Sequence, residues 1–172
     1  MFGGENCPTV MAHCVWSSDE EIELMRKNGV FVAHCPASNA NLSSGIAPAR
    51  TYLEKGVNIG LGSDIAAGTH VSIFRAMSDA IQMSKMRWRL QDDTKAPLTA
   101  TEAFYLGTLG GGKFFGKVGS FEAGYELDAV VLDDTRYNYD DPRDLVERLE
   151  RTIYLSEDRD ILHKYVQGRE LF

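Results

Sequence analysis

Three short apolar runs each end on a side chain able to bind a metal or move a proton: Thr9-Val10-Met11-Ala12-His13, Val30-Phe31-Val32-Ala33-His34 and Asn58-Ile59-Gly60-Leu61-Gly62-Ser63-Asp64. The third reads as a buried strand, because Ile59 and Leu61 are apolar while Gly60 and Gly62 allow close backbone approach. A carboxylate at such a strand end is costly unless something pairs with it. A cation would offset that cost, and a carboxylate is a hard oxygen ligand suited to zinc or a similar divalent ion. Two simpler readings stay open for Asp64: it caps the helix expected near Val71, or it lies in a loop. One histidine at a strand end is ordinarily a satisfied core residue, so the inference rests on the trio. In a parallel α/β arrangement the carboxyl ends of strands converge on one rim, where such folds carry their chemistry.

The elements that must position this trio can be read from capping and breaking signals. Ser17 with Glu20 and Ser18 with Glu21 form overlapping capping boxes ahead of Ile22, Leu24 and Met25, and Asn28-Gly29 is a plausible stop. Residues 36–45 are rich in small polar groups and read as a long loop, either reaching over the rim to a ligand or merely connecting. A short helix is expected from Pro48 to Glu54, ended by Gly56, completing a strand–helix alternation typical of βαβ units. After Asp64, residues Ile73, Met77, Ile81 and the Lys85 stem mark one face of a helix reaching about Arg89. His70 reads as a solvated residue at its start, outside the site.

Residues 91–97 read as a polar linker, and Thr99 with Glu102 opens another helix, which runs to Gly110-Gly111-Gly112. That triplet lacks the lysine and serine or threonine of a phosphate loop and suggests conformational freedom. Beyond Val118 come a glycine-bounded turn, a strand at 127–132, a helix starting at Pro142 and a terminal hairpin over 162–172. His163 falls in this last part with no chemical role expected.

With 172 residues the chain can bury a sizeable core or be a piece of something larger. A hydrophobic share of 44% and a charged share of 25% suit a soluble globular domain. The 18 basic and 25 acidic residues are scattered, so a net charge of −7 argues against nucleic acid or anionic membrane as a partner. Cys7, Cys14 and Cys35 are odd in number and without CxxC spacing, which fits a reducing compartment. No apolar run reaches transmembrane length, and residues 1–6 lack the basic start and apolar core of a signal peptide, so the cytoplasm is the expected address.

Several of these segments together resemble a known family. Met11-Ala12-His13-Cys14, Ala33-His34-Cys35-Pro36-Ala37-Ser38-Asn39, Leu42-Ser43-Ser44-Gly45 and Gly60-Leu61-Gly62-Ser63-Asp64 are similar to the last third of the amidohydrolase superfamily barrel, in its nucleobase and aminohydrolase branch. Thr101-Glu102-Ala103-Phe104, Gly110-Gly111 and the run from Val118 to Gly124 resemble that superfamily's return into its small β domain. Ser72-Ile73-Phe74-Arg75-Ala76-Met77 and the run from Tyr154 to Ile161 look most like the guanine deaminases.

The resemblance implies an α/β fold: residues 1–117 as strands six to eight of a (β/α)8 TIM-type metal-dependent hydrolase barrel, and 118–172 as a contribution to the small β domain with a terminal helix and hairpin. Asp64 would then end strand eight, where the family has a zinc ligand that also shuttles protons. His13 would end strand six, beside the metal's water and the substrate. His34 and Asn39 are carried over as substrate-side residues that shape the pocket. One zinc ion per intact site is implied, with a purine as small-molecule partner and a homodimer as the intact assembly.

The implied reaction is hydrolytic deamination of guanine to xanthine and ammonia. The rivals are another aminohydrolase of the branch, acting on an adenosine-type, S-adenosylhomocysteine or triazine substrate, or a non-catalytic fragment. The family's His-x-His pair, its strand-five histidine and its glutamate are not in this sequence and are expected upstream of Met1. The chain is therefore expected to be a C-terminal portion that binds zinc weakly and shows no turnover alone. Three parallel strands would also leave unpaired edges, favouring self-association or partial disorder.

Overall fold

The computed structural model describes residues 7–137 and 143–172. Residues 1–6, where no leader pattern was found, and Pro142, the expected helix start, lie outside them. Three parallel strands, β1 (Val10–Ala12), β2 (Phe31–His34) and β3 (Asn58–Leu61), form one sheet in chain order. Ala12 pairs with Ala33 and Ala33 with Gly60, so the carboxyl ends of all three strands lie side by side. Parallel neighbours need crossovers. These are α1 (Asp19–Lys27) after β1, and α2 (Pro36–Asn41) with α3 (Ala49–Glu54) after β2.

Local signals set most boundaries. Of the two overlapping boxes the Ser18 one forms: Ser18 Oγ accepts from Glu21 N, and Glu21 Oε2 accepts from Ser18 N at 2.7 Å. The helix ends at Asn28, and Gly29 takes a left-handed φ of 62°. The long helix α4 (Ile73–Leu90) starts from Ser72, and α5 (Ala100–Tyr105) from the predicted Thr99 and Glu102 box. Ser84, rather than the Lys85 stem, completes the buried face of α4; its hydroxyl donates to Ile81 O and accepts from Leu98 N.

The segment expected to be a loop after β2 contains α2 instead. Pro36 stands at its first turn, where the missing N–H costs nothing. Its Ser38 and Asn39, weak helix formers by themselves, are engaged elsewhere in the fold.

A second, antiparallel sheet joins β4 (Ala129–Leu132), β5 (Ile161–Val166) and β6 (Arg169–Glu170), the last two forming the expected hairpin. Between β4 and β5 runs α6 (Leu145–Leu155), capped by Asp144 and Glu147. It packs on α4 and α5, and its Ile153 joins the core formed by Ile22, Val32, Tyr52, Ile59, Met77, Ile81 and Leu106. Arg50 ties α3 to the start of α5: Nη1 and Nη2 donate to the two Glu102 oxygens at 2.5 and 2.6 Å, Nη2 donates also to Pro97 O, and Nε donates to Ala96 O. Val10 and Met11 of the edge strand β1 are 48% and 41% exposed, so this end of the sheet carries uncovered apolar surface.

The glycine triplet serves close packing rather than conformational freedom. Gly111 has an ordinary helical φ of −71°, just past the π-helical turn Leu106–Gly110 that continues α5. A Cβ on Gly60 of β3 would lie 2.6 Å from the Gly111 Cα, whereas one on Gly111 would make only ordinary contacts at 3.6 Å and beyond. Strand and helix therefore touch backbone to backbone. Gly60→Ala is expected to cost about 1–3 kcal/mol by overpacking, while Gly111→Ala is neutral or slightly stabilising; urea unfolding midpoints of the two variants check this ordering.

His34, at the end of β2, is 2% exposed, and its Nδ1 has no partner among the described residues. Burial, with the charge of His13 second, pushes its pKa down to about 4. The unfolded chain thus takes up a proton below its ordinary value of 6.5 while the native state does not. Stability from this group is complete above pH 6.5 and is lost as pH falls toward 4. From pH 7 to 5 the loss should be about 2 kcal/mol. Urea titrations at the two pH values should show it, and His34→Gln should flatten that slope.

Candidate functional site

The rim is shaped by two left-handed strand ends. His13 and Cys14, directly after β1, have φ of 67° and 46°, and Asp64, after β3, has 48°. Such backbone is uncommon for residues with a side chain and persists when the surroundings fix it. Here His13 N donates to Ala33 O at 2.9 Å and Cys14 N to Ala12 O at 2.8 Å, and the hydroxyl of the fully buried Tyr52 donates to Cys14 O at 2.5 Å. Beyond β3, Gly68 N donates to Asp64 O at 2.6 Å.

These turns bring His13 and Asp64 face to face, with His13 Nε2 3.8 Å from Asp64 Oδ2. Their side chains are 40% and 37% exposed, so both line an open rim. Two neighbouring residues of α2 hold them from behind. Ser38 Oγ donates to Asp64 Oδ2 at 2.5 Å, and Asn39 Oδ1 lies 2.9 Å from His13 Nδ1. Asp64 Oδ1 has no protein donor among the described residues. The helix-cap reading of Asp64 is not what the structure has, since Ser72 caps α4.

The other sequence candidates do not share the open rim with this pair. His34 and Asn39 are both buried, at 2% and 3% exposure, and Asn39 spends its amide oxygen on His13. His70 is not a solvated helix start: its Nε2 lies 2.7 Å from Asp79 Oδ2 in a partly buried pair, fixed to α4 and away from Asp64. His163 pairs with Glu170 within the terminal hairpin. Ser38 and Tyr52 were not singled out from sequence. The polar run 36–45 was the available sign for Ser38, and nothing local marks Tyr52, whose partner is 38 positions away.

The nearby thiols are poor ligands or nucleophiles. Burial, and then the charge of Asp64, pushes Cys35 up to about 11, and burial raises Cys14 as well. Both therefore stay protonated near neutrality. Among the described residues no three His, Cys, Asp or Glu side chains converge as a metal ion would require. A catalytic zinc takes three protein ligands and keeps a fourth position open. This chain offers one carboxylate oxygen without a protein donor among the described residues, beside one imidazole, which suits a contributor to such a centre and does not complete it.

Residues 4–171 match the family model described as the amidohydrolase family. A guanine deaminase of Dictyostelium discoideum is 38% identical over 170 residues, covering 95% of this chain and 38% of that protein. The crystal structure of a guanine deaminase from C. acetobutylicum with bound guanine in its active site is 52% identical with a TM-score of 0.91, covering 97% of this chain and 40% of that one. An adenosine deaminase from Xanthomonas campestris with bound zinc is 27% identical with a TM-score of 0.76, covering 94% and 36%. The chain thus spans less than half the length of the relatives it matches. The family and these neighbours imply a TIM-barrel-type fold, in keeping with the mixed α/β arrangement and its three parallel strands. Matched over nearly its whole length, the chain belongs to the amidohydrolase family.

Proposed function

We propose that this chain supplies strands six to eight and the proton-handling side chains of a zinc-dependent guanine deaminase, with residues 1–117 as the barrel portion and 118–172 as part of a small β domain. The observation that carries the reading is the opposition of His13 Nε2 and Asp64 Oδ2 across 3.8 Å on one open rim. The gap is too long for a direct hydrogen bond and can take a water or an amino nitrogen between two acceptors. The 52% identity to a deaminase crystallised with guanine favours that substrate.

In this reading Asp64 is the metal ligand this chain contributes, through the oxygen that Ser38 leaves free. Zinc supplies a lowered water pKa, so that hydrolysis runs near neutral pH. Asp64 takes the proton released when water adds to the amino-bearing carbon and returns it to the departing amine. His13 hydrogen-bonds the adding oxygen, and its backbone turn holds the ring there. Guanine and water become xanthine and ammonia, with no redox change. Buried His34 sits behind the rim and shapes the pocket floor without exchanging protons, as its depressed pKa supports. The three free thiols among the described residues suit a reducing cytoplasm.

A second reading, an adenosine-type substrate, is favoured by the zinc-bound adenosine deaminase at 27% identity. Substrate choice on a shared rim separates the two. Grafted in place of the matching segment of the C. acetobutylicum guanine deaminase, this sequence should restore guanine turnover and leave adenosine untouched; adenosine turnover instead would select the rival. In that chimera Asp64→Asn should lower kcat by roughly 10²–10⁴-fold. The 172-residue chain alone should turn over neither purine and should bind zinc weakly by calorimetry; measurable xanthine formation by the isolated chain would show that its residues suffice.

A further inference from the structure

We infer that Asn39 is a positioning residue that selects the His13 tautomer with its proton on Nδ1 and its lone pair on Nε2. An amide oxygen can only accept, so with Asn39 Oδ1 2.9 Å from His13 Nδ1 the ring nitrogen is the donor. The other ring nitrogen, Nε2, is the one facing Asp64 Oδ2 at 3.8 Å. The tautomer thus decides whether the rim offers one acceptor or two. A free histidine side chain prefers the opposite arrangement, with the proton on Nε2, and would aim an N–H at the carboxylate and compete with any donor placed between them.

Asn39 is built to impose the choice. It is 3% exposed, and its own N–H and C=O are bonded to Cys35 O and Ser44 N at 3.0 and 2.9 Å. Its neighbour Ser38 is fastened to Asp64, so α2 is pinned on both sides of the gap. Its Nδ2 is buried without an acceptor among the described residues, so the bond to His13 is the one protein contact of that amide's polar atoms. The backbone from which the His13 ring departs is itself fixed, since its left-handed residue is held by Ala33 and, through Cys14, by Tyr52.

The chemical meaning of the tautomer rests on the deaminase reading, but the tautomer itself does not. The test is long-range ¹H–¹⁵N correlation of the imidazoles in the 172-residue chain at pH 8, with His13→Gln identifying the His13 signals among the four histidines. The expected result is a pyrrole-type Nδ1 and a pyridine-type Nε2. Asn39→Ala should shift the tautomer ratio toward Nε2–H by roughly tenfold, and Asn39→Asp, which keeps the accepting oxygen, should retain Nδ1–H. A protonated Nε2 in the wild-type chain overturns the inference, as does an Asn39→Ala chain with a native backbone spectrum and an unchanged ratio. If Asn39→Ala does not fold, the wild-type spectrum and Asn39→Asp decide. In the chimeric enzyme Asn39→Ala should reduce kcat with little change in KM. A chimera without turnover would count against the deaminase reading and leave the tautomer result standing.

Discussion

The hydroxyl of Ser38 on the carboxylate of Asp64 is the contact on which the rim depends. A carboxylate placed just beyond the end of a parallel strand keeps a defined direction when a donor meets it. Ser38 gives one bond at 2.5 Å from a residue that is itself 1% exposed, so the donor has nowhere else to go. With one oxygen fixed in this way, the other is left without a protein donor among the described residues. The cost of a short helix made of proline, alanine, serine and asparagine is offset because its polar side chains are used for this purpose.

The backbone beneath the rim is organised around the same need. Both functional side chains leave the sheet on left-handed residues, so neither simply continues the alternation of its strand. Tyr52, from α3, reaches the first of these turns, and burial pushes its phenol up to about 12, so it stays a donor to Cys14 O at and well above neutral pH. The Gly60–Gly111 approach lets the α5 extension lie directly on β3, the strand that leads to Asp64. The last strand is thereby clamped between β2 and a helix, which fixes the base from which the turn to Asp64 departs.

Much of this was legible in the sequence because it is written locally. Apolar runs ending in His13, His34 and Asp64, the Ser18 and Thr99 boxes, and the terminal hairpin each depend on residues a few positions apart. What was not legible depends on partners far along the chain. Residues 36–45 have the composition of a loop, and α2 forms there because Ser38 and Asn39 find Asp64 and His13 26 positions away in each direction. His70 looked like a solvated residue because its partner, Asp79, lies more than two helical turns on. The glycine triplet looked flexible because sequence shows a missing side chain without showing what occupies its place.

The same distinction bears on what the chain contributes chemically. Opposing an imidazole and a carboxylate needs two groups at fixed separation, and the chain builds that pair entirely from its own residues, with Ser38 and Asn39 adjacent on one helix bonded to opposite members. A hydrolytic metal centre needs three ligands converging on one point, and among the described residues this convergence is not met. The division follows from topology. Neighbouring parallel strands place their carboxyl ends in a row, which suffices to oppose two side chains, whereas surrounding an ion calls for ligands from more than one side of a closed rim. A carboxylate with one oxygen tethered and the other without a protein donor among the described residues is therefore suited to joining ligands from further strands.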